Sequence, residues 1–166
     1  MNKYIYFFLF TFTLNASEPI IAKLVKVDSN AVQKFSISNY TFYCRPYGIL
    51  NLDELHNNSS LKSKCRQKIK SYYSKHPREL YFAQTLFKRG QGYHIEFKEK
   101  SCVVYAQGQY TYSELLLRQG LAVRKRNFTD PEFKASFYKA QKIAIMREKG
   151  IWKDEVIKNC VAEMYK

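Results

Sequence analysis

Residues 102–152 read CVVYAQGQYTYSELLLRQGLAVRKRNFTDPEFKASFYKAQKIAIMREKGIW. Cys102 to Ala106 is an apolar, β-branched run of strand length. Tyr112 to Gln119 suits a short helix closed by Gly120, where a left-handed cap costs least. Thr129-Asp130-Pro131-Glu132 has the spacing of a capping box, in which a Thr hydroxyl and a Glu carboxylate each satisfy a free backbone N–H. From there Phe133, Phe137, Ala140 and Ala144 recur at helical spacing and predict one buried stripe. Gly150 stops that helix, and Ile151-Trp152 turns the only Trp of the chain back onto the core.

Upstream, Tyr93, Ile95 and Phe97 alternate with His94, Glu96 and Lys98, the pattern of a half-buried strand with the first set inside. A tight polar turn, Lys98 to Ser101, joins it to the strand at Cys102. Pro77 suits the first turn of a helix running through Lys88, with Leu80, Ala83 and Phe87 facing the core and Gly90 and Gly92 ending it. Leu61 to Ser74 is a second helix, with Leu61, Cys65, Ile69 and Tyr72 on one stripe. Asn51 to Ser60 is polar and expected as loop. Residues 20–27 suit a strand, and Val32–Ile37 and Tyr40–Cys44 flank Ser38-Asn39 as a hairpin. Strands come first, with helices between and after them, so the fold class is α+β.

The chain has 166 residues with 28 basic against 14 acidic side chains, a net charge of +14. With 46% apolar residues, 6 Gly and 4 Pro, low-complexity, collagen-like and largely disordered classes are excluded. Residues 1–16 (MNKYIYFFLFTFTLNA) place one Lys before an apolar stretch and end on a small residue, the order of a secretory signal. They are too short to span a bilayer comfortably, and no second span follows. The expectation is an exported, periplasmic or secreted product with no transmembrane segment in its mature part. Cys44, Cys65, Cys102 and Cys160 lie in that part without C-x-x-C spacing, so two disulfides are the simplest account in an oxidising compartment. Three pairings are open on spacing alone.

The runs Tyr105-Ala106-Gln107-Gly108, Ser113-Glu114-Leu115-Leu116 and Arg118-Gln119-Gly120-Leu121-Ala122, followed by a capped helix and Gly150-Ile151-Trp152, resemble the C-terminal half of the staphylococcal-nuclease (TNase-like) family. The N-terminal half resembles it through LVKVD (24–28), a hairpin, and Arg45-Pro46-Tyr47-Gly48-Ile49. The resemblance covers roughly 20–153 of a single domain, 17–166. It leaves an insertion at about 51–76 and a tail at 153–166. It implies a five-stranded OB-type β-barrel with three family helices plus an inserted basic helix. It also implies that the third and fifth barrel strands are neighbours, which sets Cys44 opposite Cys102 and leaves Cys65 for Cys160.

Nucleases of this family are Ca²⁺-dependent phosphodiesterases. Two acids and a carbonyl hold the metal, two Arg neutralise the phosphate, and a Glu positions water. Carried over by position, the first acid falls on Asn30, with Asp28 two residues away as the candidate metal ligand. The first Arg is Arg45. The second acid falls on Leu50, and the Glu falls on Asp53. The loop for the second Arg has shrunk to Lys98-Glu99-Lys100-Ser101. Arg45 and Asp53 are thus the catalytic-position matches, and efficient nuclease activity is not expected. No cofactor is expected, with Ca²⁺ reserved for the nuclease alternative. Arg45 also has a structural reading, as a partner of Asp53 or Glu96.

Lys62, Lys64, Arg66, Lys68 and Lys70 beside Tyr72 and Tyr73, with Arg124, Lys125 and Arg126, interleave cations with aromatics as polyanion-binding surfaces do. The expected partner is acidic: an exported protein assembly, an envelope polyanion or nucleic acid. A basic binding or scaffolding module is therefore expected first. A Ca²⁺-dependent secreted endonuclease and a non-catalytic nucleic-acid binder are the alternatives.

Overall fold

Strand β1 (Ile20–Val27) buries Ala22 and Leu24 and exposes Ile21 and Lys23, the alternation of a strand with one covered face. The computed structural model describes residues 19–59 and 61–164, so the expected leader lies outside the described residues. β2 (Gln33–Ile37) and β3 (Tyr40–Cys44) form the expected hairpin, with Ser38 at a left-handed φ of 52°. β5 (Gly92–Lys98) pairs with β1, and β6 (Ser101–Gln107) with β5. β7 (Tyr110–Thr111) completes an antiparallel sheet of order β3-β2-β1-β5-β6-β7. β4 (Ile49–Asn51) and β8 (Ala122–Arg124) pair separately.

The end of β3 and the start of β6 meet at one parallel bridge, Pro46 to Cys102. Cys102 N donates to Arg45 O at 2.9 Å and Tyr47 N to Cys102 O at 3.1 Å. No continuous ladder closes this sheet into a barrel among the described residues. The fold shown is mixed α+β. Cysteines join Cys44 to Cys102 and Cys65 to Cys160, the pairing that the resemblance implies.

α6 (Lys134–Met146) presents Phe137, Ala140 and Ala144 to the core beside Phe133, as their spacing predicts. Its start differs from expectation. Phe133 occupies the cap position without a side-chain bond, because Asp130 captures the Glu132 N–H at 2.9 Å and Glu132 reaches Lys98 at 3.3 Å. The two reciprocal capping boxes lie elsewhere. Asn51–Glu54 opens α1 (Leu52–His56), and Thr111–Glu114 opens α5 (Tyr112–Arg118). Residues expected as loop over 51–60 therefore include a buried strand end and a short helix.

α2 (Ser63–Lys75) buries Cys65, Ile69 and Tyr72. The single helix expected over 77–88 is instead α3 (Pro77–Leu80) and α4 (Phe82–Leu86), with Leu80 exposed. In β5, Glu96 rather than Phe97 is the buried residue. Lys98 holds the Glu96 carboxylate at 2.6 Å, while half-exposed Phe97 rests edge-on against Phe42. Gly120 has φ 67°, and a Cβ there would lie 2.1 Å from the Lys149 carbonyl oxygen, so both the turn and the close approach require glycine. That close approach brings the turn after α5 against the end of α6, and Ile151 N donates to Gly120 O at 3.0 Å.

A 3₁₀ turn (Gly150–Lys153) leads into the segment expected as a tail, which is helical as α7 (Glu155–Met164). Asp154 Oδ1 accepts from the N–H groups of Val156 (2.9 Å) and Ile157 (3.2 Å), capping α7. Burial works against its charge, but those N–H groups and Lys68 outweigh burial and hold the carboxyl below its usual range. A lowered folded value contributes stability above the unfolded carboxyl value, about pH 4, and that contribution is lost as pH falls through the folded value. Asp154→Ala is expected to cost about 1 kcal/mol at neutral pH. The variant should also show a shallower acid arm of the melting-temperature profile. Parallel acid arms in variant and parent would refute this role.

Candidate functional site

Asn30 is 2% exposed at the turn between β1 and β2, and its amide is spliced into a helix from another part of the chain. Its Nδ2 donates to the Glu79 carbonyl at 2.7 Å, and its Oδ1 accepts from the Ala83 N–H at 2.8 Å. Glu79 O and Ala83 N are the partners that an uninterrupted α-helix would join directly. The side chain of Asn30 replaces that bond with two, which is why the helix divides at Tyr81. Nδ2 also lies 3.3 Å from the Tyr73 hydroxyl, and the Asn30 carbonyl accepts from Tyr112 OH at 2.9 Å.

The other positions implied by the resemblance lie in unlike settings. Asp28 pairs with Lys26 at 2.6 Å. Leu50 is half-buried in β4, opposite Val123. Asp53 is exposed in the first turn of α1, where a carboxylate favours the helix N-terminus. Arg45 is exposed just beyond β3, with its carbonyl bonded to Cys102. In the shortened loop, the Lys98 ammonium is held by Glu96, by Glu132 at 3.3 Å and by Asp130 at 3.9 Å. The Glu96 hydrogen bond heads the causes that raise its pKa. Lys98 is thus engaged by carboxylates rather than offered to a phosphate.

A Ca²⁺ ion needs six to eight oxygen ligands. Asn30 has its side-chain oxygen already bonded, Leu50 has none, and no cluster of three His, Cys, Asp or Glu suits a metal among the described residues. The residues present do not fit the ion. No protein-family model matches this sequence, and no curated protein matches it.

The basic positions divide by structure. Lys64 and Lys70 are exposed on α2 without a salt bridge among the described residues, whereas Lys62 pairs with Glu163 at 3.1 Å and Lys68 with Asp154 at 3.5 Å. Arg66 is half-buried. Tyr72 is in the core, its hydroxyl on Glu79 and its ring stacked on His76. Tyr73 is half-buried, and burial pushes its hydroxyl up to about 12. Tyr72 therefore packs inward, and Tyr73 is partly covered beside it. Arg124 ends β8, and Lys125 and Arg126 follow it exposed.

Sequence reasoning misses a separate basic cleft near the Gly120 crossing, lined by Gln107, Gln109, Tyr110, Arg118, Arg147 and Lys149 among others. These residues come from three segments, so no local run announces the cleft. The usable signal is cationic residues at the ends of two helices, each followed by a glycine. No helix of the described residues is long and apolar enough to cross a membrane.

Proposed function

We propose that this chain is an exported basic module of the cell envelope that binds an acidic polymer or assembly and does not efficiently cleave phosphodiesters. The observation that carries this reading is Asn30. The position that the resemblance assigns to a metal ligand is a packing clamp whose side-chain oxygen and nitrogen are both bonded. An excess of basic side chains at +14 supports an acidic partner, and two disulfides suit an oxidising compartment. The strand order β3-β2-β1-β5-β6 and the Pro46–Cys102 bridge support an OB-type barrel of the TNase-like kind as the underlying architecture. Residues 51–76, which include α2, are the insertion on that frame.

The test incubates the protein with plasmid and with single-stranded DNA, each in Ca²⁺ and in chelator, alongside gel-shift assays over a salt series. Retardation without Ca²⁺-stimulated cleavage is expected. Duplex affinity should fall linearly in log–log form with salt, at about 0.9 per phosphate contact. Lys64→Gln with Lys70→Gln should lower that slope by up to about 2. Ca²⁺-stimulated cleavage that disappears in Arg45→Ala or Asp53→Ala would make the protein a nuclease instead. Retardation insensitive to salt would remove the polyanion.

A further inference from the structure

A cleft of about 500 Å³ opens between the β6–β7 turn, the end of α5 and the residues that follow α6. Arg118, Arg147 and Lys149 line it, together with the amides of Gln107 and Gln109, and no carboxylate among the described residues does. Lys98, on which three carboxylates converge, is the opposite arrangement.

Arg118 is also held in place. Its guanidinium lies 4.4 Å from the centre of the Tyr110 ring, and its Nε is shielded from solvent with no hydrogen-bond partner. That stack fixes the guanidinium at the wall of the cleft, where it keeps its charge. Lys149 Nζ is near Gln119 Oε1 at 3.5 Å, a long contact that leaves its other protons uncommitted. Gly108 has φ 59° with no atom within 4 Å of a Cβ built on it, so the backbone on that side of the cleft is open to approach. Arg118 and Arg147 stand at helix C-termini, where the dipole favours cations. That field offsets part of their repulsion but adds no counter-charge to the cleft.

We infer that this cleft binds a phosphate-bearing anion that brings at least two negative charges, as adjacent phosphates do. Donors from three segments suit the oxygens of a tetrahedral phosphate, and Arg offers a two-pronged contact. The inference rests on the polyanion reading, since it names where adjacent phosphates of such a chain are gripped.

Amide-resolved NMR titration with inorganic pyrophosphate, and with an oligothymidylate of about twelve residues, tests it. Pyrophosphate is expected to shift residues 107–110, 118–120 and 147–149 saturably. Arg147→Gln, at an exposed position that leaves packing intact, should weaken it about tenfold or more. Lys23→Gln, at an exposed position on β1, should leave it unchanged. Absence of these shifts, or full affinity in Arg147→Gln, overturns the site. Oligonucleotide binding confined to α2 and the residues around Arg124 would also overturn it while sparing the polyanion reading. Pyrophosphate saturating the cleft while no polymer binds at low salt would keep the site for small phosphate-bearing anions and end the polyanion reading.

Discussion

Asn30→Asp is expected to destabilise the protein by about 3–5 kcal/mol, the scale of an unpaired charge in a buried setting. The substitution is nearly isosteric, and it installs the residue type that the resemblance to nucleases would ask for. The structure opposes it. The Glu79 carbonyl would lose the donor that now sits 2.7 Å away and face a carboxylate oxygen instead. The Ala83 N–H would keep its acceptor, so the loss is one-sided. Protonation restores a donor, so burial should raise the new carboxyl above the usual range. The sign follows from that. A raised carboxyl leaves little penalty below the unfolded value, about pH 4, and a growing penalty up to the folded one. The gap in unfolding free energy between variant and parent should therefore be small near pH 4 and full near pH 8. Denaturant titrations at several pH values read this directly. A constant gap, or one below about 1 kcal/mol at pH 8, would show that Asn30 is not the clamp described.

That clamp also explains why the chain was legible in some places and not in others. Phe133, Phe137, Ala140 and Ala144 could be read because a helix buries one stripe, and the stripe is a local pattern. The hairpin around Ser38-Asn39 could be read for the same reason. The division of the helix over 77–88 could not, since its cause lies about fifty residues away in Asn30. Nor could the inversion of Glu96 and Phe97, because the ion partner that lets Glu96 be buried is set by the turn at Lys98 and the loop at 130–132. The capping signal at Thr129–Glu132 competes with those tertiary bonds and loses. At Asn51–Glu54 and Thr111–Glu114 the same spacing meets no competitor, and the boxes form. Of the candidate site, residue types were readable but convergence was not. Tyr72 and Tyr73 share a helix with exposed lysines yet are turned inward. Arg118 and Arg147 are far apart in sequence yet line one cleft.

Removing the Cys65–Cys160 bridge by Cys65→Ala with Cys160→Ala is expected to cost about 4–5 kcal/mol, the chain-entropy value for its sequence separation of 95. Loop length alone gives the Cys44–Cys102 bridge nearly the same value, about 4 kcal/mol at a separation of 58. The two losses should nevertheless differ in kind. Cys44 and Cys102 lie where the backbone is already bonded, through Cys102 N to Arg45 O and Tyr47 N to Cys102 O, so the strands remain paired without the sulfurs. α7 has no strand ladder to hold it. Ile157, Cys160 and Val161 pack it onto the core, and its ion pairs to α2, Lys62–Glu163 and Lys68–Asp154, are solvent-accessible and contribute little. Local opening of α7 is therefore expected in the Cys65/Cys160 double variant. Hydrogen exchange at 155–164 should rise well before the sheet's. The Cys44/Cys102 double variant should lose stability with its exchange pattern preserved. If α7 stays as protected as the sheet in the first variant, apolar packing alone secures it, and the bridge is not what fastens the end of this chain.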